Sequence, residues 1–141
     1  MRKKAIIISI KGLKLTREEK LLLSKEKPWG IILFRRNIKS IKQAQKLIKD
    51  IKKFTKEKKF PILVDEEGTE VSRLSNIFNH SLNANFFGNL YEKDKTIAIS
   101  LYKSYLKSLC INLKKIGIQE CVVGKAIYEN IIPIEDIRNA Y

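Results

Sequence analysis

Three short apolar runs in the first half of the chain constrain its fold most strongly. They span residues 5–10, 29–34 and 60–65, and each is rich in β-branched residues. Their apolar character is nearly continuous and does not alternate, which is typical of strands buried on both faces of a parallel sheet. Parallel strands need a crossover between them, usually a helix. The sequence therefore predicts an α/β fold of successive strand-helix units.

Helix signals lie between and after these runs. Thr16, with Glu19 three residues further on, forms a capping box that opens one helix. Ser40 can cap a second helix whose apolar residues recur with a period of 3.6: Ile41, Ala44, Leu47, Ile48 and Ile51. A long helix is predicted from about residue 96 to 115, with Gly117 ending it.

The second half of the chain adds a fourth strand-helix unit. Residues 120–123 read as a strand, a short helical turn follows at 126–128, and a last helix starts at Pro133. Four such units make a small open sheet or half of an eight-stranded barrel. We predict one α/β domain over residues 1–141 with about four parallel strands; the half-barrel alternative would be a partial TIM-type barrel. The irregular stretch 66–89 follows a strand, where binding loops are expected.

The charge balance is strongly basic, with 29 Lys and Arg against 15 Asp and Glu, a net charge of +14. The lysines are spread along predicted helices without interleaved aromatic residues, so no specific nucleic-acid partner is predicted. The apolar run near the N-terminus stops at Lys11, short of a signal peptide, and no run reaches the length of a membrane span. We expect a cytoplasmic location and no membrane partner.

Cysteine and histidine usage argues against metal chemistry. Cys110 and Cys121 are too far apart for a CxxC pair, and His80 is the sole histidine. Neither a zinc site nor a redox motif is predicted, and no metal or organic cofactor is implied. Both cysteines are expected to be buried as small hydrophobic residues.

Three adjacent acids, Asp65, Glu66 and Glu67, end the third apolar run. Neighbouring strand side chains point to opposite faces, so they cannot flank a glycosidic bond as an acid and a nucleophile must. Asp65 can accept hydrogen bonds from ligand hydroxyls, or it can serve as a helix or loop cap. Arg73 can return to the same mouth as a donor, or it can be a surface arginine.

Three segments carry a resemblance to a known family. Residues 12–19 read GLKLTREE, residues 29–37 read WGIILFRRN, and residues 61–68 read PILVDEEG, followed by Val71, Ser72 and Arg73. In this order and spacing they resemble the amino-terminal part of family 3 glycoside hydrolases of the β-N-acetylhexosaminidase type, over residues 3–118. The resemblance implies a TIM barrel that removes terminal N-acetylglucosamine from peptidoglycan fragments during cytoplasmic cell-wall recycling. It also implies that Asp65 and Arg73 bind the terminal sugar.

The chain departs from that family in two respects. It has Gly68, Thr69 and Glu70 where the family has two glycines and an arginine, so the charge of this loop is reversed. The family's lysine-histidine motif, mobile histidine loop and aspartate nucleophile all lie downstream of the matching residues, and His80 matches none of them. We therefore expect a truncated or chimeric hexosaminidase-like chain without the catalytic residues, and no hydrolysis by this chain alone.

The tail, residues 117–141, resembles the last strand-helix unit of the ribotide isomerase of histidine biosynthesis, where a substrate phosphate is held. Gly124, Lys125 and Ala126 would offer backbone N–H groups at a helix N-terminus, which suits an anion. The other interpretation is a closing strand and helix with an incidental Gly-Lys pair. Two alternatives to the sugar-binding hypothesis follow: a phosphate-binding barrel isomerase relative, and a non-catalytic half-barrel that self-associates as a homodimer.

Overall fold

A computed structural model describes residues 3–66, 72–78 and 82–118. Its sheet has three strands, β1 (Lys4–Ile8), β2 (Pro28–Leu33) and β3 (Ile62–Val64), in the spatial order β1-β2-β3. Both pairings are parallel; Ile31 in the central strand faces Ile8 on one side and Ile62 on the other. The predicted parallel α/β fold is confirmed, and each strand ends one or two residues before the predicted end.

Two helices connect these strands, α1 (Arg17–Glu26) and α2 (Ile41–Thr55). The capping box predicted at the start of α1 is confirmed, because the Thr16 hydroxyl accepts from the Glu19 amide at 3.2 Å and the Thr16 amide donates to the Glu19 carboxylate at 2.8 Å. Right-handed crossovers between neighbouring strands in sequential order place their helices on the same side of the sheet. α1 and α2 accordingly pack against each other.

Two more helices follow β3, α3 (Ala84–Lys93) and α4 (Lys95–Ile116). α4 agrees with the predicted long helix and ends at Gly117, whose φ of +97° lies in the left-handed region that favours glycine. α3 corrects the prediction that residues 66–89 are irregular throughout. The Asn83 side chain caps it by accepting from the Phe86 amide at 2.8 Å, and α3 packs against α4.

The hydrophobic core lies between one face of the sheet and the helices. On the sheet side it contains Ile31, Leu33 and Ile62, with Ile8 and Val64 packed against it. The α2 residues that face it follow the predicted helical period: Ala44, Leu47, Ile48 and Ile51. Ile116 and Ile118 at the end of α4 complete it.

The other face of the sheet and its β1 edge are less covered. On the face opposite Ile31, Ile7 of β1 is 48% exposed and Ile32 and Leu63 are only partly buried; at the β1 edge Ile6 is also 47% exposed. The prediction that these strands are buried on both faces is therefore wrong for the described part of the chain. One face packs against helices, and the opposite face lacks an equivalent layer.

The structure corrects the prediction for Cys110 and leaves the predictions for the end of the chain untested. Cys110 lies on an outward-facing part of α4 and is exposed, so its predicted burial is wrong. The predicted fourth strand, the last helix and Cys121 fall outside the described residues, so the number of strands beyond three is untested. Within the described ranges, no helix combines the length and apolarity needed to cross a membrane.

Candidate functional site

The carboxyl ends of the three parallel strands meet at one edge of the sheet, where ligands bind in parallel α/β proteins. Phe34 follows β2 directly, and its ring lies at this edge under two arginine side chains. The guanidinium carbon of Arg36 lies 4.7 Å from its centroid, and that of Arg73 lies 5.7 Å from it. A phenyl ring attracts cations at such distances. Phe34 therefore helps to hold both arginines at the mouth of the sheet.

The structure brings Asp65 and Arg73 together at this mouth. Asp65 follows β3, and its Oδ2 lies 3.8 Å from Nη2 of Arg73. The Asp65 side chain is 44% exposed and that of Arg73 is 28% exposed. The Nε of Arg73 is buried and has no hydrogen-bond acceptor in the described part of the chain. A carboxylate that solvent can reach thus stands beside a guanidinium with unused donors.

Glu66, the next residue after Asp65, bonds to the backbone at Arg73 and Leu74. Its Oε2 accepts from the amides of Arg73 and Leu74, both at 3.0 Å, and from the Ser72 hydroxyl at 3.4 Å. Glu66 therefore binds the backbone that carries Arg73. The Tyr105 phenol has a pKa above its ordinary value, mainly because of burial and secondly because of the nearby charge of Glu66.

The ends of β1 and β2 are joined by Asn37 and Arg36. The Asn37 side chain is fully buried; its Nδ2 donates to the carbonyls of Ile10 at 3.0 Å and Gly12 at 2.9 Å, and its Oδ1 accepts from the Phe34 amide at 2.9 Å. Arg36 Nε also donates to the Ile10 carbonyl, at 3.2 Å. The sequence reasoning gave Phe34, Arg36 and Asn37 no individual role, although all three lie in the motif at residues 29–37.

The predicted phosphate site and the sole histidine lie outside the described residues. Gly124, Lys125 and Ala126, proposed to hold a phosphate, lie outside the described residues, as does His80. Across residues 3–66, 72–78 and 82–118, no group of three or more His, Cys, Asp or Glu side chains could hold a metal ion. The described mouth offers a carboxylate acceptor and guanidinium donors, which suits a ligand rich in hydroxyl and carbonyl groups.

Comparison with known proteins gives β-hexosaminidases among its matches. No family model matches the chain. The β-hexosaminidase of Psychromonas ingrahamii is 37% identical over 89 residues, which are 63% of this chain and 25% of that protein. The β-hexosaminidase of Neisseria gonorrhoeae is 36% identical over 89 residues, 63% of this chain and 24% of that protein. The chain thus spans about a quarter of the length of these curated relatives.

Solved structures give the same result. NagZ from Neisseria gonorrhoeae, in complex with N-trifluoroacetyl-D-glucosamine, superposes with a TM-score of 0.71 and 31% identity, covering 82% of this chain and 35% of that one. A family 3 β-N-acetylglucosaminidase from Paenibacillus sp. str. FPU-7 shares the fold, with a TM-score of 0.56, 22% identity and coverage of 79% and 21%. The resemblance of this chain to the amino-terminal part of the family 3 β-N-acetylhexosaminidases, predicted from its motifs, is therefore confirmed in sequence and in fold.

Proposed function

We propose that this chain forms part of an N-acetylglucosamine-binding site of the family 3 β-N-acetylhexosaminidase kind, with Asp65 accepting hydrogen bonds from sugar hydroxyls and Arg73 donating them. In this proposal the surrounding architecture is a partial TIM-type barrel. The substrate class follows the resemblance: terminal N-acetylglucosamine of peptidoglycan fragments, met in the cytoplasm. The gonococcal NagZ structure, which holds a glucosamine derivative, supports this choice of ligand.

The observation that carries the proposal is the unsatisfied guanidinium of Arg73. It approaches Asp65 only to 3.8 Å, which is an ion pair without a hydrogen bond, and its buried Nε has no acceptor among the described residues. A buried donor without an acceptor costs about 1–3 kcal/mol. The Arg73 side chain is also 28% exposed, so a sugar at this mouth would supply oxygen atoms to its accessible N–H groups, because hydroxyl and carbonyl oxygens accept from a guanidinium.

Asp65 and Glu66 are assigned to binding and to structure, and neither to bond cleavage. An acid and a nucleophile must flank the scissile bond about 5–9.5 Å apart, whereas these two residues are adjacent and Glu66 is occupied by the amides of Arg73 and Leu74. Hydrolysis would therefore depend on groups other than these two carboxylates.

The test is titration calorimetry with N-acetylglucosamine on the wild-type chain and on Asp65→Ala. We expect measurable binding by the wild type and a loss of about tenfold or more in Asp65→Ala, because a charge-assisted hydrogen bond is removed. Asp50→Ala is the matched control; it removes a carboxylate from α2, away from the strand ends, and should bind as the wild type does. Absence of wild-type binding, or equal affinity in Asp65→Ala, would contradict the proposal.

A second candidate, self-association, is favoured by the exposed β1 edge. β1 is one of the two outer strands of the described sheet and carries Ile6 and Ile7, each nearly half exposed. Uncovered edge strands are templates for pairing with another chain. We expect sedimentation to give a mass twice that of the 16.4 kDa chain and Ile7→Lys to restore the monomer. A monomeric wild type at high protein concentration would exclude this candidate.

A further inference from the structure

Glu66 accepts several hydrogen bonds at the mouth of the sheet. Three donors converge on its Oε2: the amides of Arg73 and Leu74 at 3.0 Å, and more distantly the Ser72 hydroxyl at 3.4 Å. Hydrogen bonds to an ionised carboxylate are about twice as strong as those between neutral groups. The backbone at residues 73 and 74 is therefore fixed to the end of β3.

This fixation sets where the Arg73 side chain begins. Leu74 is fully buried in the core, so the chain is held on one side of Arg73 by packing and at its amide by Glu66. Asp65 is covalently attached to Glu66. The Glu66 carboxylate thus sets where the Arg73 guanidinium lies relative to the Asp65 side chain. Nη2 of Arg73 is 3.8 Å from Oδ2 of Asp65, and the guanidinium carbon is 5.7 Å from the Phe34 centroid.

We propose that Glu66 is a positioning residue of the sugar site: it holds the Arg73 guanidinium against Phe34 and beside Asp65 without touching the ligand itself. This inference rests on the proposed function. The charge of Glu66 also acts on Tyr105 of α4. Burial is the main cause of the raised pKa of the Tyr105 phenol, and the charge of Glu66 is the second. Glu66 therefore links the end of β3 to the backbone at Arg73 and Leu74 and lies near Tyr105 of α4.

The first experiment measures affinity for N-acetylglucosamine in Glu66→Ala, Glu66→Gln and Ser72→Ala. Alanine removes all three acceptor contacts, so we expect affinity to fall about tenfold or more. Glutamine keeps an oxygen that two amides can share, so it should stay within about threefold of the wild type. Ser72→Ala removes the longest contact to Glu66 and the second acceptor of the Leu74 amide, at 3.2 Å, but it leaves both amide bonds to Glu66, so affinity should stay within about threefold of the wild type. Wild-type affinity in a folded Glu66→Ala would overturn the proposal, as would equal losses in the Ala and Gln variants.

A second measurement needs no ligand and separates failure of this inference from failure of the proposed function. NMR resonances of the Arg73 guanidinium report its position over the Phe34 ring through the ring-current shift. We expect this shift to be lost in Glu66→Ala and kept in Glu66→Gln, while the core signals of Leu74 persist in both. If the wild type binds no sugar, the proposed function fails, but this pattern still supports the positioning role. An unchanged Arg73 shift in Glu66→Ala refutes that role whatever the sugar does.

Discussion

Replacing Asn37 with alanine is expected to lower the free energy of unfolding by about 3–4 kcal/mol. The Asn37 side chain is fully buried and makes three hydrogen bonds to backbone groups, those of Phe34, Ile10 and Gly12. Alanine leaves these groups without this partner; the bond to Ile10 is fully buried, and those to Phe34 and Gly12 are partly buried. Of the three, the Ile10 carbonyl keeps a second donor, Arg36 Nε at 3.2 Å, so most of the cost falls on the other two. Urea unfolding followed by circular dichroism measures the change.

Asn76→Ala is the matched control for this prediction. Its side chain is exposed and donates once, to the Ile38 carbonyl at 2.7 Å, so the loss should be about 1 kcal/mol. Asn37→Asp keeps the shape but sets a carboxylate oxygen against the carbonyls of Ile10 and Gly12, and it should destabilise at least as much as alanine does. A loss below about 1 kcal/mol in Asn37→Ala would show that the junction of β1 and β2 does not depend on this amide.

The helices that could be predicted are those whose signals are local. The capping box of α1 needs only Thr16 and Glu19, which are three residues apart. The buried face of α2 follows from a regular apolar period that ends at Thr55. Such signals act within one or two helical turns, so a single sequence contains the information they need.

α3 was missed because its stability depends on another helix. Gly88 and several asparagines weaken the helical pattern over these residues. The ring of Phe87 packs against Tyr102 and Tyr105 of α4, with centroids 5.0 and 5.6 Å apart. That contact joins residues 15 or more positions apart, beyond what a local pattern reveals. The Asn83 cap was the available signal, since Asn is a preferred N-cap residue.

The candidate site was predicted in part. Asp65 and Arg73 were named from the sequence and lie side by side in the structure, while their sugar-binding role stays a prediction. Glu66 was considered only as one of three adjacent acids. Its contacts with the amides of Arg73 and Leu74 join residues seven and eight positions apart, and no pattern in the sequence specifies that approach. The only signal for this contact was that an acid, Glu66, follows a strand and precedes Leu74 by eight residues.

The sheet raises a more general point about apolar runs. Continuous apolarity in residues 5–10 and 29–34 predicted burial on both faces, yet the helices cover one face and leave Ile7 48% exposed on the other. A run of apolar residues shows that the strand is suited to burial on both faces. It does not say which elements supply that environment. The two faces should therefore respond differently to the same substitution.

Ile31→Ala and Ile32→Ala test this difference on neighbouring residues of β2. Ile31 is fully buried in the core between β1 and β3, so its truncation should cost about 3 kcal/mol and lower the melting temperature by about 10 °C. Ile32 points to the opposite face and is only partly buried, so the same change should cost about 1 kcal/mol. Thermal unfolding of both variants gives the comparison. Equal losses would mean that the second face is covered in solution as fully as the first, by another part of this chain or by a second copy, and would restore the prediction of strands buried on both sides.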